Sequence, residues 1–313
     1  MKNLVSVIIP TFNRSTRLKE AIYAVKAQSH RPIECILVDD GSTDDTAQVV
    51  AHLKADVNDG FSIVYIKQEN QGAQVARNAG TAIASGEYVQ YLDSDDIIYP
   101  DKIKKQVEYL NQNIAIDGVF GDWEKGTESN KQLEIAYAAE DLIMQFLTDK
   151  CIANFSFLMT KKIVLKTGDW DVTIKRNQEI DFHIRAVLAG GKFNYQKQLT
   201  GLWKIHDNLR IANSTGIKEI VFFYQKMESL LIKHQLFDKD YANKIAAMHV
   251  WYVTQNISSP NDELYIMIKE ALRLNKNIEI NTTVFKVLSF MLGQKFAAYV
   301  WIHRFRKYRK YSL

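Results

Sequence analysis

Three aspartates fall within four residues at Asp93-Ser94-Asp95-Asp96, and a second acidic pair, Asp39-Asp40, runs straight into Gly41-Ser42. Carboxylates crowded together repel one another and call for a cation. An all-oxygen set suits a hard divalent ion, Mg2+ or Mn2+. Such an ion bridges phosphate oxygens and neutralises the charge that builds on a leaving diphosphate. Arg77, in Ala76-Arg77-Asn78-Ala79-Gly80, could support the same phosphates or a nucleotide base. Each segment alone has a plainer reading. Asp-Asp-Gly-Ser makes a turn with a helix cap, three aspartates make a loop with a cap, and a helical arginine is usually solvated or salt-bridged. The plainer readings do not explain why all of them gather at one edge of one sheet.

That gathering follows from the elements around them. Residues 5–10 form a short apolar run, as a buried parallel strand should. Residues 15–28 carry Leu18, Ile22 and Val25 at helical spacing, and 33–39 (IECILVD) read as a second buried strand. Ser42 with Asp45 reads as a capping pair opening a helix to about Leu53. Residues 61–67 predict a third strand, 73–84 a helix, and 87–92 a fourth strand. A helix then opens near Pro100 with proline in its first turn. This alternation predicts a parallel sheet covered by helices, and ligands of such sheets bind at the carboxyl ends of the strands. Pro10-Thr11-Phe12-Asn13-Arg14, the Asp39 pair, the segment before Arg77 and the Asp93 cluster all lie there. Beyond about Asn113 the pattern loosens: a strand at 118–124, a helix at 139–148, an extended stretch at 155–165, a helix at 178–189, a strand or hairpin at 192–206, and helices from 216 onward.

The totals narrow the classes. The 313 residues are 47% hydrophobic and 24% charged, enough for a large core and close to ordinary globular usage. The net charge is +4, yet residues 282–313 hold seven Lys or Arg and no acid. The remaining chain is therefore at −3, which argues against a nucleic-acid partner. Cys35 and Cys151 belong to no CxxC pair, which argues against a zinc site or disulfide framework and fits a reducing, cytoplasmic setting. The start of the chain is too short in its apolar run for a secretory signal, and no stretch approaches a membrane span. There is no GxxxxGK[ST] loop and no GxGxxG after the first strand, so phosphates here would be held through metal rather than by a glycine-rich cradle.

Four segments, VSVIIPTFNR, VDDGSTDDT, NQGAQVARNAG and GEYVQYLDSDD, occur in this order. Together they resemble the signature segments of family-two glycosyltransferases, closely over residues 4–100 and loosely to about 210. The resemblance implies the GT-A fold: an α/β, Rossmann-like nucleotide-binding sheet with helices on both faces, followed by a C-terminal helical region. Residues 1–115 would be the nucleotide-sugar half, 116–214 the acceptor half, and 215–313 the helical region with its basic tail. The implied activity is inverting, metal-dependent transfer of a sugar from a nucleotide diphosphate sugar, often a UDP-sugar, to an acceptor hydroxyl. Carried over by position, the donor-nucleotide set is Pro10, Thr11, Phe12, Asn13, Asp39, Asp40, Arg77, Asp93 and Ser94. Asp95 would ligate Mn2+ or Mg2+ directly, Asp93 would meet the ribose or the metal's water shell, and Asp96 the donor sugar. His206 is placed near the metal or diphosphate. The family usually has Glu-Asp at the start of a helix, the Asp serving as base. Here Gln178 and Glu179 stand at those positions, so Glu179 is the expected base with Asp181 as runner-up. The two point about 200° apart on a helix, so both do not face one acceptor. Trp203 and Lys204 would help shape or charge the same wall as His206, and Trp123 and Trp170 belong either to the acceptor pocket or to core packing.

The end of the chain, with Phe285, Leu288, Leu292, Phe296 and Tyr299 on one helical stripe before a basic, aromatic terminus, reads either as a membrane-surface anchor or as a packed helix with a solvated end. The first reading suits a lipid-linked saccharide acceptor and peripheral attachment to the inner face of the cell membrane. Two other functions stay open: a nucleotide-sugar-binding protein without catalysis, favoured only by the Gln178-Glu179 departure, and a sugar nucleotidyltransferase, which needs a glycine-rich basic loop that Pro10 to Arg14 is not.

Overall fold

A computed structural model describes residues 2–55, 60–137, 139–147, 152–205, 216–255, 262–276 and 278. His206, Cys151 and the basic tail lie outside them. Two compact units emerge: Met1–Leu142 with Cys151–Thr173 and Gln178–Asn208, and Ile143–Lys150 with Ile174–Asn177 and Leu209–Leu313.

The first unit begins β1 (Val5–Thr11), α1 (Ser15–Lys26), β2 (Ile33–Asp39), α2 (Thr46–Lys54), β3 (Phe61–Lys67), α3 (Ala73–Ile83) and β4 (Tyr88–Tyr91). It continues through β5 (Ile97–Ile98), α4 (Lys102–Gln112), β6 (Gly118–Gly126) and β7 (Lys131–Glu134). The short α5 (Leu142–Phe146) enters the second unit. The chain then makes a 3-10 turn, Asn154–Ser156, β8 (Leu158–Thr160), α6 (Lys161–Thr167), α7 (Gln178–Leu188) and β9 (Phe193–Lys204). The second unit ends in α8 (Ile217–Lys233), α9 (Lys239–Gln255) and α10 (Asp262–Leu274).

The sheet runs β3-β2-β1-β4-β8-β6-β9-β5, with β7 on β6. Its first four strands are parallel, in the register Thr11↔Asp39↔Lys67. Every residue of β1 and β2 is buried, as continuous apolar runs covered on both faces require. At the edge, β3 alternates, burying Phe61 and Ile63 while Ser62 is exposed. Gly80 brings α3 close: a Cβ there would stand 2.5 Å from Ile8 Cγ2. That approach seats Arg77, three residues earlier, over the carboxyl edge.

The expected parallel sheet is only half of the real one. β8 joins β4 and β6 antiparallel, β6 and β9 are parallel, and β5 closes on β9 antiparallel. Residues 155–165 are not one extended stretch: Thr160 Oγ1 accepts from Ile163 N and caps α6. Of the two readings for 192–206, the strand is the one found, as Phe193–Lys204. α4 starts at Lys102 rather than in the turn of Pro100, whose carbonyl accepts from Ser29 N. α2 opens at Thr46 rather than at a Ser42/Asp45 pair. Asp44 Oδ1 takes the Thr46 amide, while Ser42 Oγ is occupied by the Asn13 amide from the neighbouring loop.

In the second unit, α8 buries Ile220, Phe223, Tyr224, Met227 and Leu231, α9 buries Tyr241, Ile245, Met248 and Val253, and α10 buries Leu264, Met267, Ile268 and Ala271. Arg273 grips Glu228 with both terminal nitrogens. No helix among the described residues is long and apolar enough to cross a membrane.

Candidate donor and acceptor site

Each strand of the parallel half delivers polar residues to the same edge. From β1, Pro10 and Thr11 are buried, and Phe12 is 45% exposed. The buried Thr11 Oγ1 has no partner among the described residues. Asn13 takes a left-handed conformation (φ 51°), and its Oδ1 accepts from Thr43 N at 2.8 Å. It stitches two loops together, which leaves less of it for a ligand.

From β2, the acidic neighbours differ. Asp39 is fully buried, accepting from Tyr65 Oη at 2.6 Å and from Ser42 N at 2.7 Å. Burial first, and then that carboxylate, pushes the Tyr65 hydroxyl pKa up. Asp40 accepts from Gln68 Nε2, Gln71 N and Gly72 N, at 2.7, 2.9 and 2.7 Å. Its oxygens hold the turn into α3, where Gly72 sits at φ 98°. Those three bonds give Asp40 a loop-holding role beside the donor contact expected of it.

The Asp93 cluster forms a turn in which Asp96 N donates to Asp93 O. Ser94 is buried, and Asp96 Oδ1 accepts from the Lys204 amide at 3.1 Å. Asp95 meets Arg14 at 2.6 Å and Asp93 meets Arg77 at 2.7 Å, with the two carboxylate side chains 20% and 33% exposed. Arg77 is the hub. Its Nη2 lies 2.7 Å from Asp93 and 3.5 Å from Glu179, and its Nη1 donates to Gln178 Oε1 at 3.1 Å. Its guanidinium carbon is 4.5 Å from the Trp170 ring centroid. Trp170 stacks on Phe182 at 4.4 Å, and Asn78 bonds both Trp170 N and Trp170 O. Burial works against the Arg77 charge, but Asp93 and Glu179 outweigh it and raise the pKa.

Glu179 stands at the first turn of α7 with a quarter of its side chain open to solvent. Burial pushes its carboxyl pKa up, Arg77 pulls it back and Asp93 adds to the rise. That leaves it a better proton acceptor than an ordinary glutamate. Asp181, two residues on, has a side chain 1% exposed and meets Arg185 at 2.9 Å. The runner-up base is therefore turned into a structural ion pair. His183 is also buried, stacked on Phe157 at 3.9 Å, and burial lowers its pKa to about 3.

Trp123 and Trp170 are core residues, 3% and 2% exposed, yet Trp170 is also the wall behind Arg77. Trp203 lies under Lys125 Nζ at 4.9 Å, and Lys204 Nζ binds Glu20 and Glu128. Sequence reasoning placed Arg14 at the edge without a role and missed Tyr65. Arg14 carried a signal, since three crowded aspartates need a nearby cation. Tyr65 carried none.

No three His, Cys, Asp or Glu among the described residues converge as an all-protein metal cage. The donor chemistry still fits Mn2+ or Mg2+: Asp93 and Asp95 offer carboxylate oxygens and are partly open, and these ions are held by one or two carboxylates with substrate phosphates.

The fold is α/β, a mixed sheet with acids at the carboxyl ends of its parallel strands, and an arginine and a helical carboxylate beside them. Residues 6–190 match the family described as Glycosyl transferase family 2, and the chain belongs to that family. It is 41% identical over 109 residues to the putative teichuronic acid biosynthesis glycosyltransferase TuaG of Bacillus subtilis, covering 35% of this chain and 42% of TuaG. An uncharacterised glycosyltransferase of Methanocaldococcus jannaschii is 30% identical over 199 residues, 62% of this chain and 68% of the relative. In other curated relatives, from Rickettsia, the match spans 21% of their length. S. aureus TarS 1-349 in complex with UDP-GlcNAc shares the fold with a TM-score of 0.70 at 13% identity, covering 97% of this chain and 91% of that one. The mannosyltransferase PcManGT of Pyrobaculum calidifontis, in complex with GDP-Man and Mn2+, aligns with a TM-score of 0.52 at 13% identity over 96% and 84%.

Proposed function

We propose that the protein transfers a sugar, with inversion, from a nucleotide diphosphate sugar to an acceptor hydroxyl in surface polysaccharide or glycolipid synthesis. The observation that carries this is the placement of Arg77, whose Nη2 meets both Asp93 of the donor cluster and Glu179 of α7. Donor and base ends thereby share one cation.

Thr11, Phe12 and Asp39 receive the nucleoside, with the orphaned Thr11 Oγ1 ready for a polar partner. Asp95 and Asp93 would hold Mn2+ or Mg2+, which when bound offsets the charge of the diphosphate. Asp96 faces the donor sugar. Glu179 takes the proton of the acceptor hydroxyl as that oxygen bonds the anomeric carbon. The bond from that carbon to the diphosphate breaks on the opposite face, and its electron pair leaves with the nucleoside diphosphate. A UDP-sugar donor is supported by likeness to TarS, and a polysaccharide acceptor by similarity to TuaG. The cytoplasmic face of the membrane, reached through the basic tail, is the proposed place of work. Flotation of the full chain with anionic liposomes tests this, and equal flotation after truncation at Tyr299 contradicts it.

The test of the reaction is a thermal-shift screen of nucleotide sugars with Mn2+, followed by NMR of the first product from the best donor. The opposite anomer to the donor is expected; a retained anomer rejects the mechanism. Asp95→Ala should abolish Mn2+-dependent donor turnover, and turnover that persists and ignores chelation contradicts the metal assignment.

A further inference from the structure

Gln178 is an uncharged hydrogen-bond partner of Arg77. Its side chain is buried, and its Oε1 accepts from Arg77 Nη1 at 3.1 Å. The other terminal nitrogen, Nη2, carries both carboxylates, at 2.7 Å to Asp93 and 3.5 Å to Glu179. The indole of Trp170 covers the guanidinium face, and Arg77 Nε has no acceptor among the described residues. The Arg77 guanidinium thus lies against Trp170, with Asp93 holding one terminal nitrogen and Gln178 the other.

We propose that Gln178 is a positioning residue. Its amide oxygen fixes the in-plane orientation of Arg77 so that a single nitrogen faces the donor cluster and the acceptor-side carboxylate together. This rests on the glycosyl-transfer reading above. A neutral anchor suits the task. An amide oxygen accepts one bond and leaves the charge of Arg77 to Asp93 and Glu179; what the task requires is an oxygen acceptor for Nη1. Without the oxygen, Nη1 is a buried donor with nothing to bond. The guanidinium then rotates to recover a partner at the expense of Asp93 or Glu179. Gln178 and Glu179 are adjacent at the start of α7, so the anchor also fixes where the helix presents Glu179.

The experiment compares wild type, Gln178→Leu and Gln178→Glu as full chains with Mn2+. It measures UDP-GlcNAc turnover (or turnover of the donor that the thermal-shift screen ranks first), KM for that donor, and melting temperature. Gln178→Leu should lower kcat about ten-fold or more while donor KM moves by a smaller factor, less than about three-fold and through Asp93 alone, because the nucleoside residues Thr11, Phe12 and Asp39 belong to β1, the loop after it and β2 rather than to α7. Gln178→Glu, which still offers an oxygen to Nη1, should recover most of that kcat. Equal kcat in Gln178→Leu and wild type, or a fall in melting temperature with no split between kcat and KM, overturns the proposal. So does failure of Gln178→Glu to rescue. If wild type itself neither binds nor turns over any nucleotide sugar, the glycosyl-transfer reading falls and this proposal with it.

Discussion

The two ends of the parallel strands treat carboxylates in opposite ways. At the amino end, Glu34 of β2 accepts from Ser6 Oγ, Ser85 N, Ser85 Oγ and Gly86 N. Although burial alone would raise its pKa, those bonds overcome the effect and lower it. At the carboxyl end, Asp93, Asp95 and Glu179 are held by arginine side chains and stay partly open to solvent. The amino end spends its acid on tying backbone together. The carboxyl end keeps its acids on partners that can be exchanged for a ligand. By that measure Asp40, bound by two backbone amides and a glutamine, belongs with Glu34 although it sits at the functional edge.

The comparison can be broken at its strongest point first. Arg77→Met leaves the partly open Asp93 and Glu179 without their shared cation and Gln178 without its donor, and should cost about 1–3 kcal/mol in urea unfolding; an unchanged midpoint would mean that Arg77 is not the hub. Glu34→Ala should cost about 2–3 kcal/mol for the stranded donors yet leave kcat per folded molecule unchanged, and a selective loss of kcat would erase the distinction between the two ends. Asp40→Ala should cost about 1–3 kcal/mol, read in the same melts, and should raise protease cutting in the 68–72 turn.

Acidity sharpens the contrast. The pKa of Glu34 is depressed by folding, so its stabilisation is present above the ordinary value of 4.5 and is lost as pH falls through its lower folded value. Glu34→Gln should flatten that acid loss. The pKa of Glu179 is raised, so activity should already fail on its acid limb above 4.5. A kcat profile flat down to that value would contradict its role. The smallest effect belongs to His183: it is neutral above its pKa of about 3, so His183→Phe should leave the profile between about pH 5 and 8 unmoved.

The legibility of the sequence follows the range of the interactions. The bounds of β2 and β3 are readable because unbroken or alternating apolar runs report burial directly. The donor acids are readable because parallel topology sends strand ends to one edge. What pairs with them is not. Arg14 reaches Asp95 across 81 positions, and Arg77 reaches Gln178 across 101. Ser42 looks like a cap locally but is claimed by Asn13 from another loop. Glu179 and Asp181 look equivalent on paper. Packing leaves a quarter of the Glu179 side chain open beside Arg77 and buries that of Asp181 against Arg185.

The account stands most directly on Glu179→Gln. Donor affinity by titration calorimetry and sugar transfer by product formation should be measured on the same preparation. Affinity within about two-fold of wild type, with transfer reduced by roughly 10²–10⁴, is the predicted result. Transfer at the wild-type rate would contradict the assignment of Glu179 as the base that the Arg77 hub presents to the acceptor.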